Sequence, residues 1–175
     1  SGIWQDRREA NLIDGGAPFY RCYETSDGGY MAVGAIEPQF FAELLRGLEA
    51  DASWAEKQYD QSAWPEMEAA FADRFRTRTR EDWTARFEAT DACVSPVLDM
   101  AEAPHHPHNR TRGTFRELDG YFQPAPAPRF SGGESEIRRG AFFQGEDTMS
   151  ILTEAGFDET RIAEMMDAGQ VEQAV

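Results

Sequence analysis

The chain has 175 residues, 41% of them hydrophobic, which is long enough for one domain, or one domain with an appendage, to bury a core. Its 17 basic and 32 acidic residues give a net charge of −15, which argues against general nucleic-acid binding because such binding depends on neutralising phosphates. No apolar run approaches the ~20 residues that a membrane-spanning helix requires, so we expect neither a nucleic acid nor a membrane as a partner.

The first predicted elements are a β-hairpin and a helix within residues 11–48. Two β-rich runs flank the sequence SDGG at residues 26–29, and an Asp-Gly turn in this setting predicts a hairpin. The second run passes into GAIEP at residues 34–38, where Pro38 suits the first turn of a helix because its missing N–H is not needed there. Apolar residues at helical spacing continue that helix. Glu37 therefore lies where a strand gives way to a helix.

A polar stretch, in which Trp54 and Tyr59 are expected to act as anchors, leads to two further helices. The first opens at Trp64 and carries apolar residues every four positions, which is typical of an amphipathic helix. The second is preceded by Thr79, a favourable N-cap residue. The run at residues 91–98 then predicts a short buried strand, and its proline places that strand at a sheet edge or at a bulge.

The remainder of the chain predicts a second hairpin at residues 114–123, a linker at 131–144 and a helical hairpin at 145–175. A helical hairpin of this size cannot bury its own apolar face, so it must pack on another domain or subunit. We expect an α+β fold, with an antiparallel sheet of two hairpins plus a strand and about three packed helices. The small domain covers residues 11–130, and residues 1–10 form a lead-in.

Glu37 is the first candidate for a functional side chain. A carboxylate between Ile36 and Pro38, in an apolar stretch, is expected to be affected by burial and could orient an acid or a base. The alternative interpretation is a glutamate at a helix start that interacts with the helix dipole. Spacing alone leaves both interpretations open.

The glycine turn at the start of the hairpin region also has two interpretations. Asp14, Gly15 and Gly16 form either a plain turn or an anion-binding loop, because glycines allow positive φ and a close backbone approach. The sequence around them lacks the spacing of the known phosphate-binding motifs. A plain turn is the simpler interpretation.

The histidines and cysteines of the chain do not form a recognisable motif. The three histidines lie together at residues 105–108, with no carboxylate or cysteine at ligand spacing, so we expect a solvated loop and no metal site. Cys22 and Cys93 fall in predicted strands. Two cysteines do not make a disulfide framework, so both are expected to be free, buried thiols.

Several motifs resemble the family III CoA-transferase (CaiB/BaiF) group, and within it the racemases of α-methylacyl-CoA thioesters. The resemblance is strongest over residues 11–41 and continues through WPEM at 64–67, TDACVSPVL at 90–98 and HHPHN at 105–109. It reaches the sequence GEDT at 145–148 and so extends over nearly the whole chain.

The resemblance implies a racemase that removes the proton α to an acyl-CoA thioester and returns it, with no cofactor. Its catalytic His and Asp would lie in a Rossmann-like large domain, formed by an N-terminal half and the extreme C-terminus. Residues 11–130 would then be the small domain, and residues 145–175 would return to the large domain. Two subunits of the full-length protein would interlock as a homodimer. The isolated chain is expected to be inactive, and a cytoplasmic location is expected because its ending is not a peroxisomal tripeptide.

The resemblance also assigns roles to individual residues. Glu37 matches a supporting carboxylate that hydrogen-bonds the catalytic His of the partner subunit, which would fix the tautomer of that imidazole and raise its basicity. Tyr20 and Ile36 match residues of the apolar surface over which the acyl chain moves. The turn at residues 14–16, also predicted to bind substrate, takes the place of a longer glycine-rich loop in the CoA-transferases of the family.

Two classes of function remain open. The first is an enzyme, a racemase acting through an enolate or, as the alternative, a CoA-transferase of the same family. The second is a binding or scaffold module without catalysis. The short turn in place of a glycine-rich loop favours the racemase over the transferase.

Overall fold

The computed structural model describes residues 4–133, 135–137 and 139–174. It divides into two compact units, Ser1–Asp99 and Met100–Val175. The described part of the chain is α+β, as predicted, with small antiparallel sheets and several helices. The two hairpins do not share a sheet, however, because the first joins a third strand whereas the second forms a two-stranded sheet of its own.

The sheet of the first unit has the order β1 (Tyr20–Glu24), β2 (Tyr30–Gly34) and β3 (Val94–Pro96), with antiparallel neighbours. The predicted hairpin is confirmed, and Gly28 supplies the positive φ of +77° that its turn requires. The strand expected at residues 91–98 is shorter than predicted and only partly buried. It pairs with β2 alone, so its outer edge is open, and this is the edge position that a proline tolerates.

The helices of the first unit are α1 (Pro38–Leu48), α2 (Trp64–Phe75) and α3 (Arg80–Phe87), with a 3₁₀ helix at Ala52–Lys57 between the first two. All three predicted helices are therefore confirmed. The expected N-cap of α3 is confirmed too, because the Thr79 side chain accepts a hydrogen bond from the backbone N–H of the third helical residue.

The core of the first unit is mainly aromatic. Strand alternation turns Tyr23, Met31 and Val33 inward, onto the apolar faces of the helices. The Tyr23 and Phe75 rings stack with their centroids 5.0 Å apart, and the Tyr23 hydroxyl donates to the carbonyl of Pro18 at 2.6 Å. Burial raises the pKa of Tyr23 above its ordinary value. The large side chains of this core with essentially no exposure include Phe19, Phe41, Phe71, Phe75, Met31, Leu44, Leu48 and Met67.

The second unit begins with a 3₁₀ helix at Ala103–His105 and α4 (Pro107–Arg112). The predicted second hairpin follows as β4 (Phe115–Leu118) and β5 (Tyr121–Pro124), in antiparallel register. The chain then enters two helices, whose bounds are α5 (Thr148–Glu154) and α6 (Glu159–Asp167). Among the residues that the structure describes, no helix is both long and apolar enough to cross a membrane.

The predicted domain boundaries, near residues 130 and 144, stay a prediction. Parts of the predicted segments lie outside the described residues: 1–3 of the lead-in, 134 and 138 of the linker and 175 of the helical hairpin. Within the part of the hairpin that is described, Met149, Ile151 and Phe157 are exposed apolar side chains.

The C-terminal end of α1 packs closely against α3. Gly47 lies against the ring of Phe87, which stacks on Trp83 with ring centroids 5.8 Å apart. Arg86 reinforces this contact, since it donates to the carbonyl of Gly47 and forms an ion pair with Glu49 at 2.6 Å. A glycine in a helix interior is therefore explained by packing, because a Cβ at this position would overlap the Phe87 ring.

Replacing Gly47 by alanine is expected to destabilise the chain. The helix propensity of alanine contributes about 1 kcal/mol, but forcing a methyl group into a packed aromatic contact costs up to about 3 kcal/mol, so we expect a net loss of up to about 2 kcal/mol. Denaturant unfolding of Gly47→Ala against the parent chain measures this loss. Gly132→Ala is the control, because a Cβ there meets no atom within 4 Å and no positive φ is required. An unchanged midpoint for Gly47→Ala would contradict the packing argument.

Candidate functional site

The outward face of the three-stranded sheet carries an open groove of about 750 Å³. Its lining includes Cys22, Ala32 and Ser95, which the register places side by side on β1, β2 and β3. These positions alternate with the residues that face the core. Because the side chains are small, the sheet surface forms a shallow floor rather than a closed cavity.

The lining of the groove includes several of the residues predicted to bind substrate. Tyr20 lies directly opposite Gly34 in the hairpin register, and its ring is about one-third exposed. Asp14 and Gly15 line the same groove. Gly34 donates its N–H to the carbonyl of Cys93 at 2.9 Å, which fixes the third strand beside the first two. The structure thus brings Tyr20, Asp14 and Gly15 together, and their contact with substrate stays a prediction.

The carboxylate of Asp14 is occupied by its own loop. It accepts hydrogen bonds from the side-chain amide of Asn11 at 2.7 Å, from the Asn11 backbone at 2.9 Å and from the Gly16 backbone at 3.1 Å. The Asn11 side-chain bond, followed by the backbone bonds, lowers the pKa of Asp14 below its ordinary value. Gly16 must be a glycine, since a Cβ would lie 2.8 Å from backbone atoms of Asn11. These bonds fit the plain-turn interpretation, and an anion-binding role for residues 14–16 stays a prediction.

Glu37 is exposed, so the expectation that burial affects it is wrong. The two apolar residues that precede Glu37 are at least partly covered, since Ala35 is fully buried and Ile36 is half-buried. The chain then turns outward at the start of α1, which exposes Glu37. Glu37 is the N-cap residue of that helix, yet its side chain makes no capping bond. Within the described ranges its carboxylate has no hydrogen bond and no ion pair, and it does not line the groove.

Both cysteines are exposed, which contradicts the expected buried thiols. Cys22 occupies an outward position of β1, and Cys93 precedes β3 with a left-handed φ of +53°. Partial burial raises the pKa of the Cys93 thiol, and the negative charges of Glu37 and then Asp91 raise it further. The Glu37 carboxylate therefore acts electrostatically on a residue of the groove, although the two share no hydrogen bond.

The backbone that leads into Glu37 is held by donors from a distant segment. The Ile36 carbonyl accepts one hydrogen bond from the Gln58 side-chain amide and one from the Tyr59 hydroxyl, each at 2.7 Å. Ala35 donates its N–H to the carbonyl of Phe19 at 2.9 Å. Gln58 was missed at the sequence level, since nothing distinguishes it from the other polar residues around it. Tyr59 was expected only as an anchor.

The histidines lie in the second unit, away from the residues of this groove in sequence. His105 contacts the edge of the Phe122 ring, with the ring centroids 5.2 Å apart. Within the described part of the chain, no group of three His, Cys, Asp or Glu side chains is arranged to hold a metal ion.

A model of the CoA-transferase family III matches residues 4–148, and the chain belongs to that family. Alpha-methylacyl-CoA racemase of Mus musculus is 44% identical over 169 residues, which cover 94% of this chain and 44% of the relative. Alpha-methylacyl-CoA racemase of Homo sapiens is 43% identical over 166 residues, which cover 93% of this chain and 43% of the relative. The chain thus spans less than half the length of these curated relatives, and the resemblance inferred from its motifs is confirmed.

Among solved structures, the crystal structure of Rv3272 from M. tuberculosis, in its orthorhombic form, matches with a TM-score of 0.58. The match covers 70% of this chain and 35% of that chain, at 13% sequence identity. At this identity the likeness shows the fold alone, and it agrees with the predicted α+β class.

The bonding of Asp14 predicts a pH-dependent stability. A carboxylate whose folded-state pKa is lowered contributes stability above its unfolded-state value of about 3.9, and this contribution is lost as the pH falls through the folded-state value. Asp14→Asn should therefore be less stable than the parent chain at neutral pH, and the difference should shrink in acid. Urea unfolding of both proteins, from about pH 7 to about pH 3, measures the difference.

Asp73→Asn is the control for this measurement. Asp73 is exposed on α2 and its carboxylate has no hydrogen bond or ion pair to the rest of the described chain, so its substitution should leave stability nearly unchanged. A difference between Asp14→Asn and the parent that is the same at every pH would contradict the role assigned to the Asp14 carboxylate.

Proposed function

We propose that this chain is the small-domain part of a 2-methylacyl-CoA racemase, which removes the α-proton of an acyl-CoA thioester and returns it through an enolate. The observation that carries the proposal is the identity to two alpha-methylacyl-CoA racemases over nearly the whole chain. Because the chain spans less than half the length of those relatives, we place the catalytic His and Asp in the rest of the full-length protein.

Glu37 supports this proposal because its carboxylate has no hydrogen-bond or ion-pair partner among the described residues. It is exposed at the junction of a strand and a helix, on a backbone that is hydrogen-bonded in place, and no described residue of the chain bonds its carboxylate. Such a carboxylate can accept the far N–H of an imidazole from another chain, which fixes the tautomer and raises the basicity of the ring. In the proposed enzyme that imidazole is the catalytic His of the partner subunit, in an interlocked homodimer.

The groove beside Tyr20 supports the choice of an acyl-CoA as substrate. Its floor presents small side chains and its lining includes Tyr20, whereas the half-buried Ile36 lies outside the lining and directly precedes Glu37. The groove is also lined by charged residues such as Asp14, but its open floor of small side chains would allow an acyl chain to shift between the two poses from which the α-proton leaves and returns. The proposed enzyme uses the thioester itself to stabilise the enolate and employs no cofactor.

The helical hairpin of the second unit has a place in the same proposal. Exposed apolar side chains such as Met149 and Ile151 leave α5 incompletely covered. Docking on the large domain of the full-length protein would bury them.

Deuterium exchange tests the proposal. The full-length protein should exchange the α-proton of a 2-methylacyl-CoA in heavy water and interconvert its epimers, and the 175-residue chain alone should do neither. Exchange by the isolated chain would show that the acid and the base lie within it. Transfer of CoA to a free carboxylic acid by the full-length protein, without epimerisation, would instead identify a CoA-transferase.

In the full-length protein, Glu37→Gln should lower kcat by about 10–100-fold, the range typical of losing a partner that orients a catalytic ligand. The KM should change little, because Glu37 is proposed to contact the imidazole and not the substrate. Steady-state epimerisation kinetics measure both constants. Glu43→Gln is the matched control on the same helix, since Glu43 only forms a surface ion pair with Arg46. Equal kinetics for the parent and Glu37→Gln would remove Glu37 from the mechanism.

A further inference from the structure

We propose that Tyr59, together with Gln58, is a positioning residue for the Glu37 carboxylate. Both side chains donate a hydrogen bond to the carbonyl of Ile36, and that carbonyl belongs to the peptide group from which Glu37 begins. The inference rests on the proposed function, in which Glu37 orients an imidazole, and it names residues outside that site.

The geometry restricts one of the backbone torsions that direct Glu37. A carbonyl oxygen has two lone pairs, and at Ile36 each receives a donor at 2.7 Å. Rotation about the bond between Cα and the carbonyl carbon of Ile36 would break both hydrogen bonds and would swing the Glu37 backbone with the peptide plane. The next residue, Pro38, restricts the Glu37 backbone to the extended conformation in which it is found.

The donors are themselves held by the core. Gln58 is almost fully buried, and its backbone carbonyl accepts the indole N–H of Trp64 at 2.9 Å. The Tyr59 ring meets the edge of Phe19 with centroids 5.9 Å apart, and the Phe19 carbonyl accepts the N–H of Ala35. The segment that carries both donors is thereby tied to the core next to the strand end, although it lies more than twenty residues away in sequence.

A structural role alone does not account for the Tyr59 hydroxyl. Tyr59 is 55% exposed, so water could satisfy the Ile36 carbonyl at that side without burying an unpaired polar group. The Gln58 amide is different, because it is buried, and its removal would leave buried polar groups without a hydrogen bond. A substitution at Tyr59 can therefore change the orientation of the Glu37 carboxylate without changing the stability of the fold.

The test uses the full-length protein and a double-mutant cycle. Tyr59→Phe removes the hydroxyl and keeps the ring, and it should lower kcat about fivefold, the effect of one hydrogen bond, with KM within about twofold. In the Glu37→Gln background, Tyr59→Phe should have no further effect, because the group that it positions has been changed. Tyr121→Phe, at an exposed tyrosine of the second unit, should leave kcat unchanged.

Each outcome of the cycle is decisive. Equal losses in both backgrounds would show that Tyr59 acts on the fold and not through Glu37, and an unchanged kcat for Tyr59→Phe would overturn the proposal directly. A thermal unfolding midpoint close to that of the parent shows that the variant is folded. Failure of the proposed function has a different signature, since Glu37→Gln alone would then leave turnover unchanged.

Discussion

The burial of Phe19 is the interaction on which the first unit depends. Its ring meets the rings of Phe41, Tyr59 and Trp64 at centroid distances between 5.4 and 5.9 Å, so one side chain joins α1, the connecting segment and α2. Edge-to-face pairs of this kind contribute about 0.5–1.5 kcal/mol each beyond the burial of their area. The Phe19 carbonyl also bonds Ala35, so the entry to β1 and the exit of β2 stay together. The candidate site is built at that junction.

Local signals in the sequence predict the elements that depend on neighbouring residues. The Asp-Gly turn, the proline at the start of α1 and the N-cap at Thr79 all act within a few residues, and each is found where it was expected. The exposure of Cys22 could not be predicted in this way, because it depends on which face of β1 meets the helices. The division of the strands into two sheets likewise depends on long-range packing, which periodicity does not encode.

The candidate site shows the same division between local and distant causes. The sequence alone placed Glu37 at a strand-to-helix junction, but it predicted burial where the chain turns outward. The hydrogen bonds of Gln58 to the preceding carbonyls cross more than twenty residues and have no local signature. From this chain alone, a carboxylate without a partner is most simply interpreted as a glutamate at a helix start. Under the proposed function its exposure has a reason, since the imidazole that it would orient comes from another chain.

The thiol of Cys93 is less reactive than its exposure implies. Burial and the neighbouring charges of Glu37 and Asp91 raise its pKa, so it stays protonated at neutral pH. Alkylating agents and peroxides react with the thiolate, and a protonated thiol is a poor nucleophile. The Glu37 carboxylate, which does not itself line the groove, thus helps to keep the Cys93 sulfur neutral, weakly polar and slow to oxidise. In an oxidising medium the Cys93 thiol, which lines the groove, is therefore converted only slowly to a sulfenic acid.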